Sequence, residues 1–250
     1  MAASDFNGDG RSDLLWQNDD GQVAIWELNG SSVIASAILG NPGPSWEVVG
    51  AGDFNSDGKS DILWQNGNGD VVIWETRGTA VIATADLANP GPSWHAVVAG
   101  DFNGDGTSDI LFQNTNGDVA IWELSAGNLA GAFDLGNMGP HWHTIATGDL
   151  DGDGRSDILL QNDSGEIFVW LMDGPQIVGP GSLGNLGATL HFIGTGDFNG
   201  DSRADSISGQ QRGSGHLGDE WGERNRQRQP RQPWPYLACL KESRISPHLT

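Results

Sequence analysis

Cysteine is almost absent: Cys239 is the only one in 250 residues. That excludes an internal disulfide framework and any zinc site built on clustered cysteines. Lysine is scarce too, and 12 Lys and Arg residues stand against 33 Asp and Glu, for a formal charge of -21. So acidic a chain repels phosphate backbones, which argues against nucleic acid as a partner. It contains no run of about 18 apolar residues, so no membrane-spanning helix is expected. Met1-Ala2-Ala3-Ser4 leads straight into Asp5, without the basic start and apolar stretch of a secretory leader. Glycine, by contrast, occurs 38 times, which disfavours an all-helical fold. The length suffices for one or two domains with a substantial core.

The acid is unevenly spread. Residues 1–205 hold five basic and 29 acidic side chains, whereas residues 206–250 hold seven basic and four acidic ones. Before the break the chain repeats itself. Asp5-Phe-Asn-Gly-Asp-Gly-Arg-Ser-Asp13 recurs as Asp53–Asp61, Asp101–Asp109, Asp149–Asp157 and Asp197–Asp205, always 48 residues apart. Other columns keep the same period: Trp26, Trp74, Trp122 and Trp170; Gln17, Gln65, Gln113 and Gln161; Trp46, Trp94 and Trp142.

Each unit reads as four short strands. In the second these are Trp46 to Gly50, Asp61 to Gln65, Val71 to Glu75 and Ala80 to Leu87, separated by Gly, Asn and Pro turns. Runs such as Val23-Ala-Ile-Trp26 are apolar on both faces, so both faces must be covered. Tandem four-stranded units of 40–50 residues are the signature of β-propeller blades, and such units must stack to bury their faces. The fold expected is therefore all-β: propeller blades of four antiparallel strands, about four repeats, as a partial or small propeller. Blades fall at about 1–44, 45–92, 93–140 and 141–188, with the start of a fifth at 189–205. The repeated tryptophans are expected to fill the space between blades.

The turn Asp-x-Asn-x-Asp-Gly-x-x-Asp carries the chemistry. Carboxylates so crowded repel one another unless a cation lies among them. Oxygen donors at positions 1, 3, 5 and 9, with a main-chain carbonyl at position 7, suit a hard ion that takes roughly 6–8 oxygens at about 2.3–2.6 Å. With no imidazole or thiolate in the motif, calcium fits best. The candidate ligands are Asp5, Asn7, Asp9, Arg11 and Asp13 in the first loop, and Asp53, Asn55, Asp57, Lys59 and Asp61 in the second. The third and fourth supply Asp101, Asn103, Asp105, Thr107, Asp109 and Asp149, Asp151, Asp153, Arg155, Asp157. The fifth supplies Asp197, Asn199, Asp201, Arg203 and Asp205, with Ser202 where the others have glycine. Arg, Lys and Thr at position 7 contribute only their carbonyls. An EF-hand is excluded, because position 12 is Trp16, Trp64, Phe112, Leu160 and Ser208 rather than Glu, and the flanks are strands. Replacing Asp61 and Asp109 with Ala is expected to lower thermal stability in calcium and to change little in chelator.

Gly52-Asp-Phe-Asn-Ser-Asp-Gly-Lys-Ser-Asp-Ile-Leu-Trp-Gln-Asn66 and its copies resemble the FG-GAP/VCBS repeats of bacterial secreted and surface proteins. Integrin α-subunit propellers and some fungal lectins look similar. The resemblance implies calcium-braced blades, extracellular or cell-surface placement, and binding of a protein or glycan ligand. It also implies that each loop joins the innermost strand to the second, so blade 1, with four residues before Asp5, is expected to lack its inner strand. An arc of a larger ring is favoured over a closed four-bladed ring.

After Asp205 the repeat stops. The columns predict Trp at 218 and 238; Leu217-Gly218 and Leu237-Ala238-Cys239 can encode TGG one base out of register. Residues 206–250 therefore read as a frameshifted fifth blade, expected to be disordered, with a natural basic tail as the alternative.

No enzyme is expected. The second loop approaches a P-loop, but Asp53 occupies its first glycine position and the carboxylates would repel phosphate. Neither a Gly-x-Ser-x-Gly elbow nor His-Glu-x-x-His occurs. His95, His143 and His191 share one column and so belong to different blades. The readings that remain are a calcium-stabilised adhesion or ligand-binding module, a lectin-like carbohydrate-binding propeller, and the non-catalytic part of a secreted hydrolase.

Overall fold

The computed structural model describes residues 2–187, 190–196 and 204–210, with backbone only for the last two strands. Blade 1 comprises β1 (Ala2–Ser4), β2 (Asp13–Gln17), β3 (Val23–Asn29) and β4 (Ser32–Gly40). Blade 2 comprises β5 (Trp46–Gly52), β6 (Asp61–Asn66), β7 (Val71–Arg77) and β8 (Ala80–Asp86). Blade 3 holds β9 (Trp94–Gly100), β10 (Asp109–Asn114), β11 (Asp118–Ser125) and β12 (Asn128–Asn137). Blade 4 holds β13 (Trp142–Gly148), β14 (Asp157–Asn162), β15 (Glu166–Asp173) and β16 (Gln176–Asn185). A two-stranded sheet of β17 (Leu190–Gly196) and β18 (Asp205–Gln210) follows. Every described pairing is antiparallel and joins neighbours in sequence.

One expectation is corrected. Blade 1 does have an inner strand: Ala2, Ala3 and Ser4 pair with Leu15, Leu14 and Asp13. A main-chain ladder needs no particular side chains, so even three residues can complete the sheet. The inner strands stand in series, β1 against β5, β5 against β9, β9 against β13 and β13 against β17. Among the described residues the sheets follow one another without closing into a ring.

The core lies between blades rather than within one. The trailing face of blade 1 (Phe6, Leu15, Val23, Ile25) packs on the leading face of blade 2 (Ile62, Trp64, with Trp74 beside them). Phe54, Leu63, Val71 and Ile73 meet Ile110, Phe112, Trp122 and Leu124 in the same way. Phe102, Leu111, Val119 and Ile121 then meet Ile158, Leu160, Trp170 and Met172. In blades 1, 2 and 3 the two aromatic columns meet at a tilt on the leading face, with ring centroids 5.2 Å apart for Trp16–Trp26, 4.9 Å for Trp64–Trp74 and 4.6 Å for Phe112–Trp122. Fully burying one such side chain is worth about 1.5–3 kcal/mol, so each interface is a strong link.

The glutamine column ties the same interfaces. Gln65 Nε2 donates to the Trp94 carbonyl (2.9 Å) while its Oε1 accepts from Ala96 N (2.8 Å). Gln17 does this to Trp46 and Val48, and Gln113 to Trp142 and Thr144. Each amide thus satisfies two main-chain groups at the start of the next blade's inner strand. At the same end, the β6–β7 turn approaches the connection from β8 to β9. A Cβ on Gly69 (φ +92°) would sit 2.6 Å from the Gly91 carbonyl carbon.

Two substitutions test these links by urea unfolding. Ile110→Ala is expected to cost about 2–5 kcal/mol through the cavity left between blades 2 and 3. Gly69→Ala is expected to cost about 1–3 kcal/mol through its left-handed backbone, with the clash adding to it.

Candidate metal loops

Each acidic loop follows an inner strand and leads into the second strand of its blade. Its first carboxylate gathers the loop's own amides. Asp5 Oδ1 accepts from Gly8 N (2.7 Å) and Asp9 N (3.2 Å), and Oδ2 accepts from Gly10 N (2.7 Å). Asp101 and Asp149 repeat this set with Gly104, Asp105, Gly106 and with Gly152, Asp153, Gly154. Asp53 bonds Asp57 N and Gly58 N. The third position converges on the same amide: Asp9 N donates also to Asn7 Oδ1 (2.9 Å), and Asp57 N to Asn55 Oδ1 (3.0 Å). The fifth-position carboxylate accepts from the amide of position 7, at 2.9 Å for Asp9 and Arg11. So tight a turn needs left-handed backbone at positions 4 and 6, as in Gly8 (φ +79°) and Gly10 (φ +81°). Loop 2 places Ser56 at φ +62°, where its hydroxyl meets Thr107 Oγ1 of the next loop at 2.6 Å.

The ninth-position acids behave differently. Asp13, Asp61, Asp109 and Asp157 are fully buried. Asp109 Oδ2 accepts from Phe102 N (3.2 Å) at the loop's start, and Oδ1 from Leu124 N (2.9 Å) on β11. Asp13 holds Phe6 N and Leu28 N, Asp61 holds Phe54 N and Thr76 N, and Asp157 holds Leu150 N and Met172 N. These carboxylates therefore fasten the loop to the third strand, whatever else they do. Burial pushes the carboxyls of Asp61 and Asp109 up to about 7 and that of Asp157 to about 6, against the opposing pull of their amide donors. Neighbouring acids add to the rise: the loop's Asp57 and Asp53 for Asp61, and Glu123 of β11 with the loop's Asp105 for Asp109. Asp5 moves the other way: slight burial works to raise its carboxyl, and the amides of Gly10, Gly8 and Asp9 together hold it below the usual range.

In the fourth loop, Asp149, Asp151 and Asp153 bring carboxylate oxygens within 4.8 Å of one another. A set of hard oxygens at that spacing suits a calcium-like cation, and nothing in the loop offers a softer donor. Asp197, Asn199, Asp201 and Arg203 lie outside the described residues, and Asp205 is placed only as the first backbone residue of β18.

The loops are also joined to one another. The position-8 amide of each donates to the first-position carbonyl of the loop before it: Ser60 to Asp5 (2.8 Å), Ser108 to Asp53 (2.7 Å), Ser156 to Asp101 (2.6 Å) and Ala204 to Asp149 (2.6 Å). Gly78, Gly127 and Gly174, in the outer turns, donate to the carbonyls of Phe6, Phe54 and Phe102. Position 7 contributes more than a carbonyl. The aliphatic part of Arg155 lies over Gly104 of the preceding loop, and its guanidinium reaches Asp153 (3.1 Å) and Asp173 (3.4 Å).

Two features were not legible in the motif. Glu75 Oε2 accepts from Asn55 Nδ2 (3.3 Å), which brings the acid of the Ile-Trp-Glu run to the loop of its own blade. Its counterpart Glu123 is raised by burial and by Asp105. On blade 4, His141 Nδ1 and His143 Nε2 meet the two oxygens of Asp163 at 2.8 and 2.9 Å, all three exposed. Only the antiparallel register between β13 and β14 reveals that pairing.

A family model for FG-GAP-like repeats matches residues 5–64, 53–112, 101–160 and 149–208. The chain belongs to this family. Each match begins at the first acid of one loop and ends inside the second strand of the next blade. FG-GAP-like repeats are structural repeats typical of extracellular and surface proteins. None of the curated proteins searched matches the chain. Among the described residues no helix is long and apolar enough to cross a membrane.

Asp109→Ala would strand two buried amides, Phe102 N and Leu124 N. It is expected to cost about 2–6 kcal/mol in chelator as well as in calcium. Denaturant unfolding in both buffers checks this. The outcome differs from that of a ligand alone, which would act only in calcium.

Proposed function

We propose that this FG-GAP repeat module is a calcium-braced scaffold of a secreted or surface protein, acting in adhesion or ligand binding. The convergence of Asp149, Asp151 and Asp153 carries this reading. The ligand set in each loop is positions 1, 3 and 5, the position-7 carbonyl and the position-9 carboxylate, whose oxygens can accept an amide and still offer a lone pair. In the fifth loop the set is Asp197, Asn199, Asp201, Arg203 and Asp205. The domain comprises residues 1–205 with residues 206–210 completing β18, and the frameshifted tail read from the sequence then falls on 211–250, outside the described residues. A bound divalent ion supplies positive charge among loop acids that otherwise repel. Residues 1–205 carry a net -24, and 16 of their 29 acids sit in the loops, so relief of that repulsion stabilises the folded blades.

A lectin-like reading has one observation in its favour. A cavity on blade 2 is lined by Trp46, Asp70, Asp86, Leu87 and Asn89, an aromatic surface beside carboxylates and an amide. Such a mixture suits a sugar's apolar face and hydroxyls. A glycan array with the native chain and Asp86→Ala addresses it: a glycan bound by the first and lost by the second is expected if this cavity holds sugar.

For the metal, chelator-stripped protein is titrated with calcium by calorimetry, and its melting temperature is followed in parallel. Saturable binding and a melting temperature that rises with calcium are expected. Asp151→Ala and Asp105→Ala should leave the melt in chelator close to the native one and shrink the calcium-induced rise. No binding and no rise in a sample that circular dichroism shows to be folded would overturn the reading.

A further inference from the structure

The third position of the acidic loop is asparagine in blades 1, 2 and 3 (Asn7, Asn55, Asn103) and aspartate in blade 4 (Asp151). A second column changes with it. The residue after the repeat tryptophan of the third strand is Glu27, Glu75 and Glu123 in blades 1 to 3, and Leu171 in blade 4. Loops 1 to 3 thus combine three loop aspartates with a strand glutamate, whereas loop 4 combines four loop aspartates with a strand leucine.

The fold brings the two columns together. In all four loops the position-3 side-chain oxygen faces inward and accepts from the position-5 amide, at 2.9 Å for Asn7 and Asn103, 3.0 Å for Asn55 and 3.2 Å for Asp151. The Nδ2 end of an asparagine so placed points away from that amide. In blade 2 it donates to Glu75 Oε2 (3.3 Å). The other oxygen of Glu75 lies over Gly127 in the outer turn of the next blade, where a Cβ would come within 2.7 Å of Glu75 Oε1 and 3.9 Å of Asn55 Cβ. Glu27 and Asn7 meet over Gly78 in the same way, at 2.5 and 4.0 Å, and Glu123 and Asn103 over Gly174, at 3.5 and 3.9 Å. In blade 3, where the glutamate stands farthest from its glycine, Asn103 Nδ2 donates instead to Asp105 Oδ2 (3.1 Å), an acid of the loop itself.

The chemistry of the two side chains accounts for the exchange. A carboxamide has an oxygen end and an N–H end, and only the oxygen can face a cation, whereas a carboxylate offers oxygen from either end. Asparagine at position 3 therefore needs an acceptor outside the loop, which holds its N–H end there and keeps it off the position-5 acid. Aspartate needs no such partner, and a glutamate beside it would repel it. We propose that Glu75 is a positioning residue for loop 2, fixing the Asn55 amide with Oδ1 toward the ion, and that Glu27 and Glu123 serve loops 1 and 3 in the same way. The inference rests on the calcium reading of the loops.

The test is a calorimetric calcium titration of the chelator-stripped full chain, with thermal melts in calcium and in chelator. Replacing Glu27, Glu75 and Glu123 together by leucine, the residue of blade 4, is expected to weaken calcium binding about tenfold or more and to shrink the calcium-induced rise in melting temperature. Replacing them by glutamine is expected to keep both close to native, because its Oε1 still accepts from the asparagine. A glutamate acting through charge alone would lose as much in the glutamine variant as in the leucine one. Adding Asn7→Asp, Asn55→Asp and Asn103→Asp to the leucine variant is expected to restore binding, since every loop then has the blade 4 pattern. Circular dichroism checks folding. If the triple variants unfold, Glu75→Leu, Glu75→Gln and Glu75→Leu with Asn55→Asp make the same comparison in one loop. A leucine variant that binds like the native chain overturns the proposal. So does a glutamine variant as weak as the leucine one, or a leucine variant that the aspartates fail to restore. In those outcomes native protein still binds calcium and the calcium reading stands; native protein that binds none overturns both.

Discussion

A four-stranded sheet that is apolar on both faces cannot stand alone in water. That constraint governs this protein. Val71 and Ile73 face blade 3 while Val72 and Trp74 face blade 1, so one strand serves two interfaces. The hydrophobic core is consequently divided into slabs between blades, and stability is carried by nearest-neighbour contacts, as in other repeat architectures. The glutamine clamps and the amide-to-carbonyl links between loops follow the same logic, since each satisfies main-chain groups where one blade meets the next.

The acidic loops add an electrostatic demand to that packing. Their position-1 carboxylates are satisfied by amides of the loop itself, which shapes the turn before any ion is considered. Their ninth-position carboxylates are buried and pin the loop to the third strand. One short motif thus does two jobs, turn geometry and blade cohesion, and the same oxygens form the candidate ligand set.

Much of this was legible in the sequence. Period, strand number and strand order follow from the recurring loop, the Trp and Gln columns and the Gly–Asn–Pro turns. The blade 2 strands run as Trp46–Gly52, Asp61–Asn66, Val71–Arg77 and Ala80–Asp86, within about two residues of expectation. The inner strand of blade 1 was not legible, because only four residues precede Asp5, whereas pairing with β2 supplies the order that local sequence lacks. Gln65 was visible as a column without a role, because its partners lie 29 and 31 residues away on the next blade. The dual nature of Asp109 was hidden for a similar reason: its second amide partner, Leu124, lies 15 residues on.

Local alternation, turn residues and ligand spacing, all short-range properties of the chain, are enough to set the architecture of one blade and the donor set of its loop. Which face of each blade meets which neighbour, and which oxygens are tied to main-chain amides, depends on the packing of the folded chain, and that packing could not be read from one repeat. The same packing leaves Trp26 half in solvent while Trp122 and Trp170 are covered. Identical columns can end in different environments, because burial depends on what lies across the interface, and a repeat carries no record of its neighbours.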